Sequence, residues 1–247
     1  MKAIALIPAR IGATRFPAKL LATIKGKSVI RRTYESTVDT HLFHEVFVVT
    51  DSDEIEQEIV AFGGKVIRSK KEYESGTDRI AEAAADMDAD VFVNVQGDEP
   101  FVQKEPLEKL LNVFHNTGDI EVQVASLVQE LKDMALVNDP NYVKVALDKK
   151  GNALFFSRSI IPYPRNKEVA IIYYEHIGVY AFRKQALMDF TNWPMTPLEV
   201  AEKIECLRYL ENGVPMRMVE TTYMGVEIDT PEDILRAEAL MEKNGWE

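Results

Sequence analysis

Cysteine is nearly absent: Cys206 stands alone in 247 residues. A single thiol forms neither an internal disulfide nor the multi-cysteine cage of a structural zinc, and this usage fits a reducing compartment. Positive charge is also scarce, with Lys+Arg 29 against Asp+Glu 40 and a formal net charge of -11. That balance excludes a broad attraction to nucleic acid or to an anionic membrane. An acidic protein that takes a phosphorylated ligand needs a local basic cluster, a metal ion, or both. Long apolar runs are missing, since none approaches the ~20 residues of a membrane span. The apolar start, residues 3–9, is short and runs into Pro8-Ala9-Arg10 without the three-part layout of a secretory signal. The expectation is a cytoplasmic protein. Two familiar phosphate loops are missing as well. No Gly-x-Gly-x-x-Gly follows the first apolar run, and Gly26-Lys27-Ser28 has Leu21 where a P-loop needs its first glycine.

What is present reads as a folded α/β protein, with 46% hydrophobic and 28% charged residues placing it well away from disordered chains. Ala3-Ile4-Ala5-Leu6-Ile7, Val46-Phe47-Val48-Val49 and Val91-Phe92-Val93-Asn94-Val95 are continuous apolar runs, the mark of strands buried on both faces. Lys65-Val66-Ile67 is a shorter strand. Amphipathic stretches at 29–38, 54–62 and 77–85 read as helices between them, with Asp51 or Ser52 and Thr77 or Asp78 as caps and Gly63-Gly64 as a stop. This alternation predicts a doubly wound, mostly parallel sheet, in which ligands bind beyond the carboxyl ends of the strands. The second half is less regular. Strands are expected near 122–128, 142–147, 153–156 and 174–182, and helices at 107–114, 198–210 and 231–242, the last opened by Thr230, Pro231 and Asp233. A single domain spanning 1–247 is expected.

The segments that follow the strands carry the chemistry. Pro8-Ala9-Arg10-Ile11-Gly12-Ala13-Thr14-Arg15-Phe16-Pro17-Ala18-Lys19 puts three cations and small residues into one loop. Such a loop offers backbone N–H groups and forked guanidinium donors to a polyphosphate; the plainer alternative is a solvated loop. Gln96-Gly97-Asp98-Glu99-Pro100 follows the strand at 91, where a nucleotide enzyme anchors Mg²⁺ on a carboxylate and where a simple turn is the competing reading. Asp229, just before the Thr230 cap, is a second candidate ligand. Ser75-Gly76-Thr77-Asp78-Arg79 opens a helix, with hydroxyls and amides for a base or ribose and with Arg79 either binding phosphate or bracing the loop.

Together with Thr50-Asp51, Phe156-Ser157-Arg158, Ile160-Ile161-Pro162, His176-Ile177-Gly178-Val179-Tyr180, Pro197-Leu198-Glu199 and Asp229-Thr230-Pro231-Glu232-Asp233, these motifs resemble, nearly end to end, the 3-deoxy-manno-octulosonate cytidylyltransferases (CMP-Kdo synthetases). The resemblance implies a Rossmann-like nucleotidyltransferase fold with an inserted arm, roughly residues 101–160, for dimerisation and sugar binding. It implies that the anomeric hydroxyl of a 2-ulosonic acid attacks the α-phosphorus of CTP, giving a CMP-sugar and pyrophosphate for lipopolysaccharide synthesis. Arg10, Arg15 and Lys19 are then expected on the triphosphate, Asp98 and Asp229 on Mg²⁺, and Pro8, Ala9, Ser75 and Arg79 around the nucleotide. Gln96, Arg158, His176, Tyr180, Glu199 and Glu202 are expected around the sugar. It also implies a homodimer. Read without the resemblance, His176 is a core histidine, Tyr180 is packing, and Glu199, Glu202 and Glu205 are a solvated helix face.

Three positions depart from the family pattern: Cys206 stands for a glutamine, Tyr163 for a tryptophan, and Glu175 for an arginine before the strand histidine. They leave the nucleotide chemistry untouched and bear on the sugar. An alternative substrate is therefore an 8-amino Kdo, whose ammonium suits an acidic pocket, or another 2-ulosonic acid such as sialic acid. A catalytically silent nucleotide-binding module is the remaining alternative, and the paired aspartates argue against it.

Overall fold

The structure, a computed structural model, describes residues 1–12, 16–71, 73, 75–115, 122–222 and 225–246. The chain opens with β1 (Ala3–Ala9), a 3-10 turn (Lys19–Leu21), the short strands β2 (Thr23–Ile24) and β3 (Lys27–Ser28), and α1 (Val29–Asp39). It continues through β4 (Glu45–Thr50), α2 (Asp53–Ala61), β5 (Val66–Arg68), α3 (Gly76–Ala84), β6 (Val91–Asn94) and α4 (Lys104–Asn112). Next come β7 (Val124–Leu131), α5 (Met134–Asn138), β8 (Lys144–Leu147), β9 (Ala153–Ser157) and β10 (Tyr173–Arg183). The chain closes with α6 (Lys184–Asn192), α7 (Pro197–Glu202), α8 (Leu207–Glu211), β11 (Met216–Glu220) and α9 (Pro231–Asn244). These elements fall into two compact units, Met1–Glu105 with Gly225–Glu247, and Pro106–Met224. Among the described residues no helix is long and apolar enough to cross a membrane.

The first unit is the expected parallel α/β layer. β1 pairs in parallel with β4 on one side and β6 on the other, and β4 pairs with β5. Every residue of β1 and β6 is buried, which is why both read as unbroken apolar runs rather than alternating ones. Ile30, Ile55, Ile59 and Ile80 from three helices are fully buried, each contributing about 1.5–3 kcal/mol of hydrophobic stabilisation. Hydroxyl caps set the helix starts: Ser28 accepts from Arg31 N (3.2 Å), Ser52 from Ile55 N (3.2 Å) and Ser75 from Asp78 N (3.0 Å).

The second unit mixes directions. β7 is antiparallel to β10 and parallel to β11, and β8 runs antiparallel between β10 and β9. A polar row crosses its strands, with Ser157 opposite Lys144, Lys144 opposite Glu175, and Glu175 opposite Gln129. The single helix expected at 198–210 is two, because Lys203 adopts a left-handed conformation (φ 55°) that ends α7. β11 and α6 had no counterpart in the sequence reading.

Candidate active site

The site of the first unit is built where β1 and β6 end. Pro8 and Ala9 are the buried last two residues of β1, and Arg10 emerges exposed just beyond them. Arg15, expected on the same phosphates, lies outside the described residues. The turn after β6 is pressed onto β1, and a Cβ on Gly97 would stand 2.9 Å from the Pro8 carbonyl oxygen, so only glycine lets the two segments come this close. Thr33 Oγ1 donates to the Gly97 carbonyl (2.9 Å) and holds the turn from the α1 side. Gly76 brings the start of α3 beside Pro8 and Gln96: its added Cβ would lie 3.2 Å from Pro8 Cγ and 3.9 Å from Gln96 Oε1.

The C-terminal segment completes the arrangement. Ile228 N–H donates to the Asp98 carbonyl (3.0 Å), which fixes Glu227 and Asp229 alongside Asp98. Asp233 Oδ2 accepts from Asp229 N (3.1 Å) and Thr230 N (2.8 Å), so the same cap that starts α9 also sets the Asp229 backbone. One carboxylate oxygen each from Asp98, Glu227 and Asp229 lies within 4.8 Å of the others. Lys19 Nζ sits among them, 2.6 Å from Asp98 Oδ2 and 2.7 Å from Asp229 Oδ1. Burial works against the ammonium charge, but Asp98 and Asp229 outweigh it and raise the Lys19 pKa. Desolvation, then the charges of Asp98, Glu99 and Asp229, push the Glu227 carboxyl well above its ordinary range. Glu227 is nevertheless solvent-exposed as a residue.

These carboxylates fit a magnesium ion. The donors are all hard oxygens, they converge from two distant segments, and a cation, the Lys19 ammonium, already sits between two of them. Glu227 was missing from the sequence reading. The signal was available, because Glu227 is a second carboxylate two residues before Asp229.

Two residues expected on the nucleotide are structurally engaged. Arg79 is nearly fully buried, with Nη1 2.9 Å from Asp51 Oδ1 and Nη2 3.2 Å from Asp51 Oδ2. It also donates to Ser69 Oγ (3.1 Å), so of its two candidate roles the bracing one is filled here. Ser75 caps α3 and donates to Asp78 Oδ2 (2.8 Å).

In the second unit, Glu202 clamps the chain beyond β9, accepting from Ser157 Oγ (2.7 Å) and Arg158 N (3.0 Å). The Arg158 guanidinium bonds the carbonyls of Glu202 (2.7 Å) and Pro140 (2.9 Å). Glu199 is buried and paired through both oxygens with Arg208 (2.8 and 2.5 Å), whose guanidinium lies 3.8 Å over the Phe190 ring. His176 sits between the Phe156 and Tyr180 rings with Nε2 3.0 Å from Ser126 Oγ, and burial lowers its pKa to about 3. Tyr180 is hydrogen-bonded to Cys206, and burial first of all raises the pKa of both.

The family model described as cytidylyltransferase matches residues 4–237. A Flavobacterium johnsoniae protein named 3-deoxy-manno-octulosonate cytidylyltransferase is 58% identical over 241 residues, covering 98% of this chain and 99% of its own length. A Christiangramia forsetii protein of the same name is 57% identical over 238 residues, covering 96% of each. This chain belongs to the 3-deoxy-manno-octulosonate cytidylyltransferase family. Within the solved structures, a CMP:2-keto-3-deoxy-manno-octonic acid synthetase complexed with CTP is similar to this cytidylyltransferase with a TM-score of 0.92 and 38% identity, over 99% of this chain and 100% of that one. The α/β fold and the cytidylyltransferase assignment inferred from the motifs therefore agree with these relatives.

Proposed function

We propose that this cytidylyltransferase joins CTP to 3-deoxy-manno-octulosonate, releasing pyrophosphate, and that it uses Mg²⁺. The observation that carries the magnesium reading is the convergence of Asp98, Glu227 and Asp229 around the Lys19 ammonium at the carboxyl ends of β1 and β6. When bound there, magnesium supplies charge neutralisation at the α-phosphate and makes a sugar hydroxyl easier to deprotonate.

The protein's part is alignment and charge compensation. Arg10 is exposed at the end of β1, and its guanidinium is a forked donor suited to the triphosphate. Lys19 adds a point charge on a flexible stem, and Arg15 completes the cationic loop. Pro8, Ala9 and the Ser75–Arg79 helix start wall the nucleotide, with Arg79 acting through its hold on Asp51. For the sugar, the Arg158 guanidinium matches a carboxylate, and Gln96, His176, Tyr180, Glu199 and Glu202 have the chemistry to read hydroxyls. The protein partners already bonded to Arg158, Glu199 and Glu202 would have to be shared or exchanged. Exposed Leu154, Tyr163, Val169 and Ile172 in the second unit suit the homodimer contact, and the reaction belongs in the cytoplasm as a step of lipopolysaccharide synthesis.

The test is pyrophosphate release from CTP with Kdo, 8-amino Kdo and sialic acid, with and without Mg²⁺. Kdo is expected to give the highest kcat/KM, and Asp98→Asn is expected to lower turnover at least ~100-fold. Near-normal turnover in that variant, or none with any of the three sugars, overturns the reading.

A further inference from the structure

The Lys19 side chain does something in this structure that a phosphate-binding lysine need not do. Its ammonium bridges Asp98 and Asp229 at 2.6 and 2.7 Å, in the space where the three carboxylates converge. Its backbone is held firmly. Lys19 opens the 3-10 turn after Ala18, which adopts a left-handed conformation (φ 53°), and Leu20 beside it is buried. Leu21 N bonds Ala18 O at 2.9 Å, and Ala22 N bonds Lys19 O at 3.1 Å. Beyond that anchor the ammonium is carried on a four-carbon arm of rotatable bonds, held at its tip by the two aspartates.

We propose that Lys19 is an exchangeable counter-cation: its ammonium holds the Asp98–Asp229 pair until a divalent cation takes that place, and it then moves to the triphosphate. This rests on the magnesium reading above and adds an order to it. Two carboxylates brought this close repel each other, and a single positive charge between them offsets that repulsion while the cleft is waiting. A divalent cation arriving alone must displace the ammonium and leave it without an anionic partner. When the triphosphate is present, the displaced ammonium has one. Metal and nucleotide are therefore coupled through the lysine as well as through any direct bridging between them.

The two sources of coupling separate in the absence of nucleotide. Direct bridging predicts nothing about a nucleotide-free protein, whereas exchange predicts that removing the lysine removes a competitor. Mn²⁺ binding to the full chain, read by electron paramagnetic resonance of free Mn²⁺, should therefore be at least about tenfold tighter in Lys19→Met than in the wild type without nucleotide. Lys19→Gln should move in the same direction, so the inference does not depend on one variant folding. With a non-hydrolysable CTP analogue, wild-type Mn²⁺ affinity should rise by more than that of either variant. Asp98→Asn is the control and should weaken Mn²⁺ binding in every background. If Asp98→Asn leaves Mn²⁺ affinity unchanged, the magnesium reading itself fails. If Asp98→Asn weakens binding while both lysine variants bind Mn²⁺ no better than the wild type without nucleotide, the exchange is overturned and the metal site stands.

Discussion

Glu175 and His176 are neighbours on β10 with opposite electrostatic habits, and together they make a sharp pH prediction. Glu175 is buried in the polar row, and desolvation outweighs Gln129 and Lys144 to raise its pKa from 4.5 to about 7. His176 is held among aromatic rings, and burial lowers its pKa from 6.5 to about 3. A carboxyl whose folded pKa is raised stabilises the fold below its unfolded value and loses that contribution as pH climbs through the folded one. A histidine whose folded pKa is lowered stabilises above its unfolded value and loses that contribution as pH falls toward the folded one. Between pH 4.5 and 6.5 the two slopes oppose each other, each about 1.4 kcal/mol per pH unit, and nearly cancel. Glu175→Gln should break the balance. Its unfolding free energy, from urea titrations across that window, should rise relative to the wild type by about 2 kcal/mol from the acid end to the neutral end. His176→Asn should tilt the other way, and the double variant should run parallel to the wild type. Because only differences between curves are used, every other titrating group drops out. A Glu175→Gln curve parallel to the wild type would show that Glu175 carries no proton in the folded state, and the reasoning would fail.

Arg208→Met should cost about 3–5 kcal/mol in urea unfolding, because it strands the buried Glu199 carboxylate, and adding Glu199→Leu should recover most of the loss. Gly97→Ala should destabilise by about 1–3 kcal/mol and lower kcat, since its new Cβ would meet the Pro8 carbonyl at 2.9 Å and displace the Asp98 turn; unchanged activity would mean the turn is not held by that contact. Asn94 is fully buried on β6, and neither its Oδ1 nor its Nδ2 has a partner among the described residues. Asn94→Leu should therefore raise stability by about 1–3 kcal/mol in the same assay, and a loss instead would show that the amide is satisfied in solution.

Much of the first unit was legible because its signals are local. The apolar runs of β1, β4 and β6 and the Ser52 and Thr230 caps each need only a few consecutive residues to be read. Asp98 and Asp229 stood out because a carboxylate after a buried parallel strand, or at a helix start, is conspicuous. What stayed hidden depends on partners far along the chain. Nothing near Arg79 announces Asp51, and nothing near Glu199 announces that Arg208 takes both its oxygens once Lys203 breaks the helix. Lys19 is the clearest case. Its loop reads as cationic, yet the groups it touches are 79 and 210 residues away, and only the fold shows that it meets these two acids.

The first unit is interrupted in sequence by the whole of Pro106–Met224, and Gly225–Glu247 must return across that gap to bring Asp229 to Asp98. Closing so long a loop from an unstructured chain costs about 4 kcal/mol in entropy. A half-folded copy, with its tail still undocked, retains the lysine and one aspartate but not the acidic cluster. The proposed metal site therefore exists only once the polypeptide has closed on itself.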